Sequence, residues 1–460
     1  METFVEYLPL WMFAALAILL FTGYPVAFIL GGIGLAFAFI GDMVGAFRLQ
    51  QLSLVILRIF GNTVESPVLV AIPMFIFMGT MLEKSGVAKD LLHALQVLTR
   101  RVPGGLALSV TLMGTIMAAT TGIIGASVVM MTLLALPVML DRGYNKALAT
   151  GTIAASGTLG ILIPPSIMLV IMSDLLSVPV GTVFIAAIIP GLLLSGLYVV
   201  YIWTLCHFKP ELAPPLPEDV APSSGSEMAF MLLRSFLPPV LLIVAVLGSI
   251  FGGFATPTEA AGVGAIGSVA LALFNGKLGW HVLRDVCERS ALTNAMIFGI
   301  FVGATCFSLV FRTLGGDHLI REFIEFMGVG PWSILLVLMA MVFALGFFFD
   351  WIEITLIVLP IFAPIVGNLD FGGHIGDYAN IDKEAIIWFT ILVAVNLQTS
   401  FLTPPFGFAL FYMKGAAPPS VTIQDVYKGI VPFVLLQLIG LLMVLFFPEL
   451  ALWLPDTLLD

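Results

Sequence analysis

Charged residues are scarce in this chain of 460 residues, and their scarcity excludes an ordinary soluble protein. Asp, Glu, Lys and Arg make up 10% of the sequence and hydrophobic residues 60%, whereas about a quarter of the residues in a typical globular domain are charged. Apolar runs near the roughly 20 residues needed to cross a bilayer recur along the whole length. We therefore predict an all-α integral membrane protein in a lipid bilayer, without a soluble domain of ordinary size.

Cysteine and histidine are also rare. Cys206, Cys287 and Cys306 have neither disulfide nor metal-ligand spacing, and the five histidines lie in charged connecting segments, which argues against redox, zinc and histidine-based sites. The sequence contains neither a P-loop ending in Gly-Lys-Ser/Thr nor a His-Glu-x-x-His motif, so ATP-driven pumping and zinc proteolysis lack their chemistry. We predict that the chain is not an enzyme and has no nucleic-acid partner.

The apolar segments predict about ten transmembrane helices. The first run follows Glu2 and Glu6 without a preceding Lys or Arg, so we interpret it as a span and not as a cleaved signal peptide. The predicted spans are residues 8–21, 26–40, 67–82, 147–172, 182–206, 228–250, 259–274, 291–311, 385–413 and 430–447.

Two further apolar blocks, 104–140 and 331–366, are each too long for one span and too short for two. Glycine and polar residues interrupt the middle of each block, so we predict two re-entrant hairpins whose tips stop near mid-membrane. The interrupting residues are Thr120, Thr121, Gly122, Gly125 and Ser127 in the first block and Gly346, Asp350 and Glu353 in the second.

Segments 47–62, 87–101 and 278–289 mix apolar and charged residues at helical spacing, which predicts helices lying in the membrane interface. With the amino terminus outside and each hairpin returning to its own side, most of the 18 Lys and Arg residues face the cytoplasm, as the positive-inside rule requires. Both termini are then external. The basic residues left at the outer face are Arg48, Arg58, Arg312, Arg321 and Lys383.

The chain contains an internal duplication. FTGYPVAFILGGIGLAFAFIG from Phe21 resembles FATPTEAAGVGAIGSVALALFNG from Phe254, and ASGTLGILIPPS, ending at Ser166, matches LQTSFLTPPFG, which contains Pro404. A stretch rich in proline, serine and acidic residues separates the copies. We predict a first inverted-topology repeat over 1–207, a cytoplasmic linker over 208–227 and a second repeat over 228–460.

A Pro-Pro pair lies inside span 147–172 and another inside span 385–413. Each pair removes two backbone donors and breaks its helix, and unwound backbone with neutral side-chain oxygens suits the hard cation Na⁺. A lone Ser or Thr would ordinarily bond back to its own helix, but broken helices at equivalent repeat positions favour binding. The predicted Na⁺ ligands are Gly122, Ser127, Ser156, Gly157, Thr158, Gly160, Gly346, Asp350, Asn396, Gln398, Thr399, Ser400 and Thr403.

The carboxylates near mid-membrane require an explanation, because insertion of one there costs about 3 kcal/mol. Asp350 is interpreted as a cation or proton ligand, and Glu353 less strongly so. The alternative for both is a water-filled mouth or a pair with an arginine such as Arg312. Glu259, at the start of a span, is expected at the interface.

These motifs resemble the large membrane subunit of tripartite ATP-independent periplasmic (TRAP) transporters, the DctM-like family of the ion transporter superfamily. The run from Ala155 to Ser166 is the most specific, and GYPVAF at Gly23, IPMFIFMG at Ile72, ATTGIIGAS at Ala119 and TPPFGFALFY at Thr403 also match. The resemblance implies a bacterial or archaeal cytoplasmic (inner) membrane, with both termini periplasmic, an elevator mechanism and Na⁺ as coupling ion. It also implies a small organic acid as substrate, a periplasmic substrate-binding protein and a separate small membrane subunit of four helices. On this reading the residues expected to contact substrate are Thr120, Thr121, Ser166, Thr403 and Phe406.

Two alternatives stay open at this point. The first is a stand-alone Na⁺- or H⁺-coupled carboxylate or ion transporter of the same superfamily, which needs no binding protein. The second is an intramembrane enzyme acting on lipid or peptide, with Asp350 and Glu353 as its acids.

Overall fold

The computed structural model describes residues 5–121, 124–215, 225–328, 330–376, 378, 380–404 and 407–459. The residues in these ranges form α-helices joined by short connections, and they contain no β-strand. The predicted all-α class is therefore confirmed.

The helices of the first half run from residue 8 to the start of the predicted linker. They are α1 (Leu8–Leu20), α2 (Val26–Met43), α3 (Ser53–Ile59), α4 (Ala71–Lys84), α5 (Val87–Thr99), α6 (Gly105–Thr121), α7 (Ile124–Asp141), α8 (Lys146–Thr158), α9 (Ile167–Leu176) and α10 (Val180–Phe208).

The helices of the second half run from residue 225 to residue 458. They are α11 (Gly225–Phe251), α12 (Pro257–Phe274), α13 (Trp280–Thr313), α14 (Gly316–Met327), α15 (Pro331–Leu345), α16 (Trp351–Val366), α17 (Glu384–Leu402), α18 (Phe408–Ala416), α19 (Ile423–Phe446) and α20 (Glu449–Leu458).

In the part of the chain that the structure describes, 8 helices are long and apolar enough to cross a membrane. They are α2, α7, α10, α11, α12, α13, α17 and α19. Two of the other predicted spans form shorter helices, α1 with 13 residues and α4 with 14. The chain is a multi-pass helical membrane protein.

The two predicted hairpin blocks each form a pair of helices packed on each other, α6 with α7 and α15 with α16. The two spans with Pro-Pro pairs are broken as predicted. The first helix ends at Thr158, continues as the 3-10 turn Leu159–Ile161, and resumes as α9. In the second, α17 ends at Leu402 and α18 begins at Phe408.

Segment 278–289, predicted as a separate interfacial helix, is instead mostly the first part of α13, which has 34 residues. No Gly or Pro interrupts it between Trp280 and the apolar part of the helix. Two ion pairs at i,i+4 spacing, Arg284 with Glu288 at 2.7 Å and Arg289 with Asp285 at 3.0 Å, support the helix where it carries charge. The charged residues of this segment do not end the helix.

Helices from the two halves pack against each other in exchanged pairs. α2 of the first half packs on α13 of the second, and α12 of the second half packs on α4 of the first. Glycines permit both contacts: a Cβ at Gly34 would lie 2.9 Å from Cys306 Sγ, and a Cβ at Gly264 would meet Met78 Sδ. Small residues let helix backbones approach closely in a membrane.

The connecting segments collect at two opposite ends of the helices. At one end, Lys383 Nζ donates to Ser177 O at 3.0 Å. At the other, Lys84 pairs with Asp285 at 2.8 Å and Lys146 Nζ donates to Ser420 O at 2.6 Å. The second end contains most of the basic segments that the sequence assigns to the cytoplasm, and the first is called the outer end below.

Candidate functional site

The first broken helix buries its polar residues completely around the break. Ser156 and Thr158 close α8, and the Thr158 hydroxyl donates to Ala155 O at 2.9 Å. Ser166 caps α9 by accepting from Leu169 N at 3.5 Å, and its hydroxyl donates to Ile161 O. Side-chain oxygens thus flank a segment of backbone that has left the helix, as the Pro-Pro pair predicts.

The second broken helix has the same character. Asn396, Gln398, Thr399 and Ser400 are buried in the last two turns of α17. The hydroxyls bond back within the helix, Thr399 to Val395 O at 3.1 Å and Ser400 to Leu397 O at 2.8 Å. Thr403 donates to Thr399 O at 2.8 Å. Each hydroxyl oxygen keeps acceptor capacity that faces away from its helix carbonyl.

The two breaks meet inside the protein. Gln398 Nε2 donates to Thr158 Oγ1 at 3.4 Å, and both side chains are fully buried. Gln398 Oε1 has no hydrogen-bond partner among the described residues. A buried amide oxygen left without a donor is costly, and an oxygen that needs a positive partner fits a site for a small hard cation.

Each hairpin packs on the broken helix of its own repeat through a polar contact. Ser156 Oγ donates to Thr111 Oγ1 of α6 at 3.3 Å, and Asn396 Nδ2 donates to Met339 O of α15 at 2.7 Å. Thr111 and Met339 were not predicted, because nothing local in their sequences marks them. Only the alignment of Ser156 with Asn396 before the two Pro-Pro pairs could have indicated equivalent partners.

Glycines allow the hairpins to approach the breaks closely. A Cβ at Gly157 would lie 2.5 Å from Val128 of α7, and one at Gly346 would overlap the Ser400 side chain. The first hairpin also contacts the other repeat, because a Cβ at Gly125 would lie 2.9 Å from the Tyr412 ring of α18. Both hairpins and both broken helices therefore form one packed group.

Asp350 and Glu353 begin α16 as a capping box. The Asp350 carboxylate accepts from Trp351 N at 2.8 Å, and the Glu353 carboxylate accepts from the Asp350 backbone N–H. The spacing Asp-x-x-Glu before an apolar run is the sequence signature of this cap, and it could have identified the helix start. Arg312, considered as a partner for these acids, bonds instead to Pro360 O at 2.9 Å and lies 3.9 Å from Asp317.

Glu353 is buried and lines an apolar cavity of about 1040 Å³ between the second hairpin and helices α2 and α13. Gly31, Gly303 and Cys306 form part of the opposite wall. The acid thus lies where the packed group faces the exchanged helix pairs. Within the described residues Glu353 forms no ion pair.

The structure describes some of the remaining predicted residues and not others. Gly122 and Phe406 lie outside the described residues, and so do the side chains of Thr120 and Thr121. Gly160 is buried in the turn after α8, and Ser127 is buried near the start of α7. Glu259, expected at the interface, is exposed and forms a capping box with Thr256.

Within the described ranges, no group of three or more His, Cys, Asp and Glu side chains lies together to hold a metal ion. Any cation at the breaks would depend on hydroxyl, amide and backbone oxygens, which bind Na⁺ and not transition metals. The two breaks bring together neutral oxygens from both repeats, and such oxygens suit a small hard cation.

The sequence matches the family described as "Tripartite ATP-independent periplasmic transporter, DctM component" over residues 13–450. It is 32% identical over 409 residues to "C4-dicarboxylate TRAP transporter large permease protein DctM" of Pseudomonas aeruginosa, and the match covers 86% of this chain and 88% of that relative. The protein of the same description from Rhodobacter capsulatus is 29% identical, with 97% of this chain and 98% of the relative covered. Among solved structures, the Alcanivorax borkumensis YdaH transporter has a similar fold, with a TM-score of 0.59 at 15% identity, covering 88% of this chain and 89% of that one.

Proposed function

Because this chain belongs to the DctM component family of tripartite ATP-independent periplasmic transporters, we propose that it is the large permease of a Na⁺-coupled importer of a small organic acid. The observation that carries the proposal is the meeting of the two broken helices at Gln398 and Thr158. Discontinuous helices at a repeat interface are where secondary transporters place their ions and substrates.

Na⁺ would lie between the breaks, held by the unsatisfied Gln398 Oε1 and by hydroxyl and backbone oxygens near Ser156, Thr158 and Thr399. The bound ion would supply positive charge beside an anionic substrate. The chain's own residues fix the oxygens, exclude water by burial and hold the hairpins against the breaks. Each net positive charge moved inward gains about 2.3 kcal/mol per 100 mV, so Na⁺ in excess of the charges on the substrate would drive accumulation.

We infer an elevator motion, which the division of the packing supports. The hairpins and broken helices form one group, while α2, α4, α12 and α13 interlock through close glycine contacts. We infer that the interlocked helices are the static scaffold and that the other group moves. The outer end, which contains both described chain ends, faces the periplasm in the bacterial cytoplasmic membrane.

The family name supports two partners, a small membrane subunit and a periplasmic substrate-binding protein. The descriptions of two relatives name C4-dicarboxylates, which are therefore the first organic acids to test. Uptake of [¹⁴C]succinate, malate and other organic acids is measured in vesicles of the native membrane, with Na⁺ or choline outside and with or without the soluble periplasmic fraction.

The proposal expects uptake that needs inward Na⁺, rises with interior-negative potential and depends on the periplasmic fraction. Equal uptake in choline would contradict Na⁺ coupling. Full uptake without the periplasmic fraction would favour a stand-alone carrier of the same superfamily. Co-purification of a four-helix protein in mild detergent checks the small subunit.

A further inference from the structure

A polar cavity of about 480 Å³ lies at the outer end, apart from the paired breaks. Four parts of the chain form its wall: the segment from Arg58 to Pro67, the end of α9, the last turns of α13 and the middle of α16. It is within the size range of small-molecule sites. A molecule in this cavity would touch both the interlocked helix α13 and the second hairpin.

Two arginines line this cavity, Arg58 from α3 and Arg312 from α13, and we call it the arginine cavity. Arg312 Nη2 donates to Pro360 O at 2.9 Å. That carbonyl has no donor within α16, because the residue four positions later is Pro364, which lacks an N–H. The bond holds the guanidinium at the cavity wall.

Both guanidinium groups retain unused donors. Arg312 has five N–H groups, of which one is bonded to Pro360 O, and its Nε forms a long ion pair with Asp317 at 3.9 Å. Arg58 takes part in none of the ion pairs of the described residues. Arg58 is half-buried and forms none of these ion pairs, so an anion in the cavity would be a favourable partner for it.

The acids of the cavity do not neutralise these arginines by contact. Asp174 accepts a hydrogen bond from Ser66 Oγ at 2.7 Å, and Glu65 is exposed. Thr305 and Ser308 of α13 add hydroxyls to the same wall as Arg312. Guanidinium groups beside hydroxyls match a carboxylate that carries further polar groups, since arginine binds a carboxylate through two parallel bonds.

We propose that the arginine cavity is an external staging site, which binds a carboxylate of the organic acid before the acid reaches the paired breaks. This inference rests on the proposed function and on the assignment of the outer end to the periplasm. The site needs no Na⁺, because its positive charge comes from Arg58 and Arg312. The site at the breaks, in contrast, needs Na⁺.

That difference gives the test. Saturation binding of [¹⁴C]succinate to the purified chain is measured in choline chloride, which reports the arginine cavity, and again with Na⁺ added. Arg58→Gln and Arg312→Gln are each expected to weaken the Na⁺-independent binding about tenfold and to leave the Na⁺-dependent part within about twofold. Arg58→Lys is expected to fall between, since a lysine cannot form the paired bonds.

Arg48→Gln is the matched control, because Arg48 is an exposed arginine at the outer end and does not line the cavity. Arg58→Gln removes no internal ion pair, so it keeps the test valid if Arg312→Gln lowers the unfolding temperature. Two outcomes would overturn the staging site alone, provided that the wild type binds succinate with Na⁺. In one, the wild type shows no binding without Na⁺; in the other, both arginine variants keep the Na⁺-independent binding unchanged. The staging site would also be overturned if both variants bound succinate normally but the periplasmic fraction no longer stimulated their succinate uptake. That result would assign the two arginines to a contact with a protein. No binding of any organic acid by the wild type, with or without Na⁺, would instead refute the proposed function.

Discussion

Gln398 and Thr158 hold equivalent positions in the two repeats, each at the same sequence distance before its Pro-Pro pair, and they bond to each other at 3.4 Å. One hydrogen bond therefore joins equivalent positions of the two repeats. The Thr158 hydroxyl oxygen and the Gln398 amide oxygen lie where an ion would be shared by both halves. Changes at these residues should affect ion coupling more than folding.

Thr158→Val keeps the volume of the side chain and removes its oxygen. We expect the Na⁺ concentration for half-maximal uptake to rise several-fold, because a buried oxygen ligand is lost. Na⁺ titration of succinate uptake measures it. Thr390→Val is the control, since Thr390 is equally buried in α17 but bonds to Ile386 O at 2.7 Å, away from the break. An equal effect of both substitutions would assign Thr158 to packing alone.

Asp350→Asn separates charge from helix capping. Asn caps helices as well as Asp does, so the unfolding temperature should stay close to wild type while the Na⁺ dependence of uptake weakens. Asp350→Ala should in addition lose about 1 kcal/mol of stability. Ser156→Ala and Thr399→Val, which lie at the breaks, should weaken Na⁺ dependence in the same assay. Unchanged Na⁺ activation in all of these variants would count against the ion site.

Gly346→Ala should impair uptake and lower the unfolding temperature, because its Cβ would overlap the Ser400 side chain, and overpacking a buried contact costs about 1–3 kcal/mol. Combining it with Ser400→Gly should restore part of the function, whereas Ser400→Ala keeps the clashing Cβ. Gly262→Ala serves as control, since a Cβ there meets nothing within 4 Å. No recovery in the Gly346→Ala and Ser400→Gly pair would place the defect elsewhere.

Cys287 reports the orientation of the chain without added mutations. It is exposed, while Cys206 and Cys306 are buried. A membrane-impermeant maleimide should label the wild type in inside-out vesicles and not in intact cells with a permeable outer membrane. In a Cys287→Ser background, Thr457→Cys at the outer end should give the reverse pattern. Labelling of Cys287 from outside would invert the topology.

The sequence predicted the elements that proline and glycine control. The two Pro-Pro pairs marked the broken helices, and the interrupted blocks marked the hairpins. The continuity of α13 was missed because charge near residue 284 indicated a change of environment, and a helix can continue through such a change. Asp350 was weighed only as a mid-membrane charge, although its spacing to Glu353 also indicated a helix cap.

Contacts between distant residues could not be predicted from one sequence. The bond from Arg312 to Pro360 O joins residues 48 positions apart, and the contact of Gln398 with Thr158 spans 240. Local patterns determine which groups need partners, such as the Pro360 carbonyl, which lies four residues before Pro364. The packing of whole helices determines which distant group becomes the partner.

The exchanged pairing of α2 with α13 and of α4 with α12 has a consequence for how the protein is made. When the ribosome has finished the first half, the glycine surface around Gly34 faces lipid, because its counterpart at Cys306 has not yet been synthesised. Biogenesis of the amino-terminal half therefore ends only with insertion of the carboxy-terminal half. We expect a chain terminated at the linker to be less stable in the membrane than the whole chain, and two separately expressed halves to assemble with each other.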